Sequence, residues 1–147
     1  MEPILILVGT DFSAGARGAY LIARALAGRF DGEVLVVHVI DGAREDSTEF
    51  DEDARQWSAD CDISHRSIIT RRGTPWLELT QEARERDAAL IMLGRHGRTG
   101  FQSIKLGSTA TRVTLAAPCP VMLAGERVAG RAVPRFWHGA SARSILS

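Results

Sequence analysis

The sequence predicts an α/β domain built on an open parallel sheet with helices on both faces. Three observations predict it. Short β-branched runs recur along the chain, helical patterns separate them, and the two kinds alternate in the order β-α-β-α-β-α-β-α-β. Alternation of this kind implies parallel pairing through right-handed crossovers, which place helices on both sides of the sheet.

The first strand is read at Ile4–Val8. A helix follows in which Ala19, Ile22, Ala23 and Leu26 recur at helical spacing, with Ser13 as N-cap and Gly28 near the stop. Val34–Ile40 is the second strand. The acidic, weakly periodic stretch from Glu45 to Trp57 reads as a short exposed helix, in a connection from Asp41 to Asp62. Ile63–Ile69 is a weaker third strand. Its Ser64, His65, Arg66 and Ser67 interrupt the apolar character, which suits a sheet edge. Thr74-Pro75, a cap followed by proline at the first helical position, opens a helix with Trp76, Leu79 and Ala83 on one face. Ala88–Leu93 is the fourth strand, Ser108 to Ala116 a helix halted by Pro118, and Val121–Leu123 the fifth strand.

A chain of 147 residues supports one buried core, placed here at residues 1–125. Residues 126–147 change character: Arg127, Arg131, Arg135 and Arg143 among glycines and alanines read as a basic tail. The formal net charge is +0, so no global field draws nucleic acid or anionic lipid, and an anion site must be local. The longest apolar run, Ile4 to Val8, is too short to span a bilayer, so no membrane association and a cytoplasmic location are expected. Cys61 and Cys119 are too few for a disulfide framework and suggest no zinc site.

Chemistry concentrates in Gly94-Arg95-His96-Gly97-Arg98-Thr99-Gly100, at the end of the fourth strand, and in Gly107-Ser108-Thr109, which opens the next helix. Glycines let a backbone approach a ligand without a β-carbon in the way, and a helix N-terminus favours phosphate. Arg95, His96, Arg98 and Lys105 add positive charge. The segment is neither a Walker loop nor a dinucleotide fingerprint, because G-x-x-x-x-G-K-[ST] and G-x-G-x-x-G are both absent. Asp11 precedes a helix, so capping and ligand contact are both open to it. His38 lies inside a buried strand pattern and reads as a hydrogen-bonded structural histidine. Trp57 and Trp76 read as packing residues.

Gly94-x2-Gly97-x9-Gly107-Ser108 resembles the nucleotide motif of the ATP-binding branch of the universal stress proteins. Ile4 to Ser13 is similar to that family's opening segment, Val36 to Ile40 to the close of its second strand, and Ala117-Pro118-Cys119-Pro120-Val121 to the approach to its last. The resemblance implies a five-stranded, Rossmann-like parallel sheet of order 3-2-1-4-5. In that order the loops Gly9–Ser13 and Gly94–Gly100 flank the topological switch point, where open α/β sheets bind ligands.

It further implies ATP, with Mg or Mn, as the ligand. Val39 would offer backbone hydrogen bonds to adenine. Gly9, Thr10 and Asp11 would border the nucleoside or a phosphate-bound metal. Gly94, Arg95, His96, Gly97, Arg98, Thr99, Gly107, Ser108 and Thr109 would surround ribose and phosphates. No dedicated catalytic base and no G-x-S-x-G elbow is present, so a regulatory binding module with a protein partner is expected. The alternative is a slow ATPase or an autophosphorylating protein. Pro120 to Ala124 is apolar and without charge, an edge that invites pairing; both this and the resemblance point to a homodimer through the last strand, the alternative being that the tail folds back and covers the edge with Val128, Val133, Phe136 and Trp137.

Overall fold

The computed structural model describes residues 3–42, 47–96 and 106–125, the side chains of 47–50 excepted. The elements are β1 Leu5–Gly9, α1 Ala14–Arg29, β2 Glu33–Ile40, α2 Ser47–Cys61, a 3-10 turn His65–Ser67, β3 Ile69–Arg72, α3 Pro75–Glu85, β4 Leu90–Gly94, α4 Ser108–Ala116 and β5 Val121–Ala124. The five strands form one sheet in the order β3-β2-β1-β4-β5. Every pairing is parallel, with Ile6 opposite both Val34 and Leu90 at the centre.

Strand alternation divides the core in two. Ile6, Val8, Val36 and Met92 point to the face covered by α1 and α2, against Ala16, Ala19, Ala23, Ala27 and Trp57. Leu7, Val37, Val39, Ile91 and Leu93 point to the opposite face, against Leu79 and Ala83 of α3 and Val113 of α4. The alanine stripe lets α1 lie close to the sheet. At the start of that helix, Ser13 accepts the Ala16 N–H through its hydroxyl at 3.1 Å, as the sequence predicts.

Three elements depart from the sequence reading. The third strand is Ile69–Arg72, not Ile63–Ile69. Asp62 ends α2 in a left-handed conformation at φ +58. Ser64 then caps the 3-10 turn by accepting the Arg66 N–H, so the polar residues are spent in a turn. Ile63 and Ile68 pack on the α1 and α2 side instead of pairing. The edge position itself is as expected.

The second helix is neither short nor wholly exposed: it runs 15 residues and buries Ala54, Trp57, Ser58 and Cys61. That face lies at i, i+3, i+4 and i+7, and Ser58 is buried at no polar cost because its hydroxyl donates to the Ala54 carbonyl. Thr74 does occupy the N-cap position of α3, but its side chain makes no capping bond.

Candidate functional site

β1 and β4 run side by side, and their chains leave the sheet in opposite directions, into α1 and toward α4. The crevice between them is a cleft of about 210 Å³ lined by Gly9, Thr10, Asp11, Gly94, His96, Gly107, Ser108 and Thr109, all predicted from sequence. Val39 joins them. The lining that sequence reasoning missed is apolar: Val37, Pro75, Leu79 and Leu93. Strand parity carried the signal, since Val37 shares a face with Val39 and Leu93 opens onto the loop that follows β4.

Val39 holds a special place in the ladder. In a parallel strand the N–H and C=O of one residue point to the same neighbour, and successive residues alternate. The Val37 carbonyl accepts the Thr10 N–H at 2.9 Å, so odd-numbered residues of β2 face β1. The Ile40 carbonyl accepts from Gly73 on the β3 side, which fixes the even-numbered residues the other way. Val39 therefore faces the β1 side, but β1 ends at Gly9, opposite Val37. The Thr10 carbonyl that would extend the ladder instead meets His38 Nδ1 at 2.7 Å, which makes that ring nitrogen a donor. Among the described residues, sheet termination thus leaves the Val39 N–H and C=O without a ladder partner at the cleft wall.

Across the cleft stands the start of α4. Its N-cap, Gly107, makes no side-chain cap bond, and the first turn holds no acidic residue. The first N–H bonded back into the helix is that of Thr111, to the Gly107 carbonyl at 3.0 Å. The N–H groups of Ser108, Thr109 and Ala110 have no intrahelical acceptor and carry the positive end of the helix dipole. All three residues line the cleft.

The remaining predicted residues divide. Asp11 lines the cleft and also accepts the Ser13 N–H through Oδ1 at 3.1 Å, so its carboxylate shapes the loop it belongs to. Arg95 does not line the cleft. Its backbone ties two elements together, donating to the Ala124 carbonyl at 2.7 Å and accepting from Gly107 at 3.0 Å. Gly97, Arg98 and Thr99, with Gly100 and Lys105, lie outside the described residues.

Gly9 and Gly94 sit at the cleft, and both are closely packed, Gly94 against backbone and Gly9 against side-chain ends. A β-carbon on Gly9 would meet Leu93 Cδ2 at 2.5 Å, and one on Gly94 would meet the backbone of Gly15 and Ala16 at 2.8 Å. His38 and Trp57 are structural, as expected; Trp76 is partly buried beneath the Arg112 guanidinium, 5.8 Å from its ring centroid. Among the described residues, no cluster of His, Cys, Asp or Glu could hold a metal ion by itself. None of their helices is long and apolar enough to cross a membrane.

Comparison with known proteins agrees with the fold. Residues 5–125 match the model of the universal stress protein family. The chain is 28% identical over 137 residues to universal stress protein MJ0531 of Methanocaldococcus jannaschii, covering 80% of this chain and 79% of that one. Among solved structures, the universal stress protein UspA of Lactobacillus plantarum superposes with a TM-score of 0.65 at 24% identity, over 84% of this chain and 99% of that one. A universal stress protein in complex with cAMP superposes with a TM-score of 0.65 at 18% identity, over 86% and 99%.

Proposed function

The chain belongs to the universal stress protein family, and from that membership we propose that it binds ATP in the cleft between β1, β4 and α4. Occupancy then regulates its engagement with a protein partner in a stress response. The observation that carries the reading is the pair of opposed backbone features. Val39 presents an N–H and a C=O, the complement of an adenine edge, and the start of α4 presents three N–H groups that suit phosphate. The apolar wall of Val37, Leu79 and Leu93 suits a flat base. That a neighbour of this fold is a complex with cAMP supports an adenine nucleotide as the ligand class.

In this reading Gly94, His96, Gly107, Ser108 and Thr109 surround ribose and phosphates, and Arg95, Gly97, Arg98 and Thr99 are assigned to the same group by the family resemblance. Mg or Mn would arrive bound to the triphosphate, and Asp11, the one carboxylate in the lining, would be the residue placed to assist in holding it. The chain's contribution is to bind and orient. The working unit is a homodimer through β5, in the cytoplasm.

Isothermal titration calorimetry with Mg·ATP tests the reading. The wild type should bind, Gly107→Val should not, and mass spectrometry of the small molecule released from purified protein should find an adenine nucleotide. Equal affinity in both proteins, or none in the wild type, overturns it. Phosphate release at saturating Mg·ATP that does not rise above the protein-free background decides against the slow-ATPase alternative, and turnover near the ~1–100 per second of ordinary phosphoryl transfer overturns the binding-module reading.

A further inference from the structure

The loop between β1 and α1 faces the cleft on one side and α2 on the other. Thr10 and Asp11 line the cleft. Phe12 turns away from it at φ +63, a left-handed conformation that a bulky residue keeps only when its surroundings impose it. Its ring stacks on His38 with centroids 4.5 Å apart and planes at 25°, and lies edge-on to Trp57 at 5.9 Å.

Trp57 belongs to α2 and is only 4% exposed. Its indole N–H donates at 3.2 Å to the carbonyl of Ser13, a residue 44 positions earlier in the chain. The same carbonyl accepts the Arg17 N–H at 3.0 Å in the first turn of α1. Beside the loop lies an open surface depression bordered by Phe12, Ser13, Arg17, Asp53 and Trp57. Without the indole, the loop has open space into which to relax.

We propose that Trp57 is a positioning residue of the cleft: its ring and N–H hold Thr10 to Ser13 in the shape the cleft requires, so the seating of α2 and the occupancy of the cleft are coupled. The coupling half of the statement rests on the nucleotide reading; the loop-holding half does not. Coupling between binding and a conformational equilibrium is reciprocal. A nucleotide that selects the held loop therefore tightens α2 by the factor by which α2 tightens the nucleotide. The helix opposite the cleft, with Asp51, Glu52 and Asp60 exposed along it, becomes the face on which occupancy can be read.

The test uses Trp57→Phe, which keeps an aromatic ring and removes the N–H. Hydrogen exchange on the ligand-free protein examines the loop alone. Amides of Phe12, Ser13 and Ala16 should exchange several-fold faster than in wild type, while Ile91 and Met92 of β4 change only as far as global stability does. Unchanged loop exchange overturns the proposal. Calorimetry with Mg·ATP should then show affinity weakened about three- to tenfold, the range expected for one lost hydrogen bond. Wild-type affinity in the variant overturns the coupling. Absence of binding in the wild type refutes the nucleotide reading instead, and the exchange data still decide the loop. If Trp57→Phe fails to fold, Trp76→Phe with Trp137→Phe leaves Trp57 as the sole tryptophan, and unaltered emission on adding Mg·ATP overturns the coupling.

Discussion

Gly94 sits where a phosphate-binding glycine would, yet its β-carbon position is occupied by the backbone of α1, with Ala16 N and Gly15 C both at 2.8 Å. Backbone cannot rotate aside as a side chain can. Gly94→Ala should therefore destabilise folding by about 1–3 kcal/mol, the usual penalty for overpacking. Urea denaturation measures this, and an unchanged midpoint would show that α1 can retreat. Gly9 differs in kind, because the atoms it would strike are the ends of Leu93 and Leu79. Cys61 gives a second residue-scale prediction. Burial pushes its thiol up to about 12. A thiol whose pKa is raised on folding adds no penalty below its ordinary value, where both states are protonated. As pH climbs from about 9 toward 12, only the unfolded state ionises, and stability falls across that window. At pH 8, iodoacetamide should label the half-buried Cys119 well before Cys61, as peptide mass mapping would show. The glycine positions were legible in the sequence and the physical reason for Gly94 was not, because spacing records neither a neighbouring helix nor the atoms it brings.

Elements whose apolar period is clean, β1, β2, β4 and α1, were legible to within a residue or two. The helix α2 was not, because its acidic first half hides a buried face made from Ala54, Trp57, Ser58 and Cys61, two small residues among them. β3 was misplaced because a capped turn and a strand share the same mixture of isoleucine and polar residues. The start of α4 was legible for a physical reason, since a glycine followed by Ser-Thr after a strand places a helix N-terminus at the strand's end. Gly107 sits at φ −60 and ψ 155, extended backbone that any residue adopts, so conformation does not demand glycine there. Gly107→Asp should then act in opposite directions on two measurements. Its carboxylate would cap the N–H groups of α4 and raise stability by a few tenths of a kcal/mol. The same carboxylate would occupy the phosphate position with like charge, and Mg·ATP binding should be lost. A Tm that holds or rises together with abolished calorimetric heat is the expected pair. A variant that binds ATP as well as wild type would remove α4 from the site.

At the scale of the molecule, the strand order decides which edges the described residues leave without a neighbouring strand. β5 bonds to β4 through the carbonyls of Pro120 and Ala124, which accept from Ile91 at 3.0 Å and Arg95 at 2.7 Å. Even-numbered residues of β5 thus face inward, and the N–H and C=O groups of Val121 and Leu123 face away from the sheet. The strand is apolar throughout, without the lysine, proline or bulge that commonly protects an edge. Among the described residues no strand pairs with these groups, and a second copy related by a twofold axis offers the same groups in complementary order, which is the basis of the proposed homodimer. Lysine at Val121 or Leu123 would be a poor probe, because both side chains pack on the α3 and α4 face and would carry charge into the core. Val121→Pro is cleaner: proline is tolerated at the first residue of an edge strand, and it removes an outward N–H that the β4 ladder does not use. Light scattering should show a dimer for the wild type and a shift toward monomer for the variant, with the far-ultraviolet circular dichroism of the two superimposable. A wild type that is monomeric at high micromolar concentration would mean that the edge of β5 is satisfied without a second copy, and the dimer would then be withdrawn.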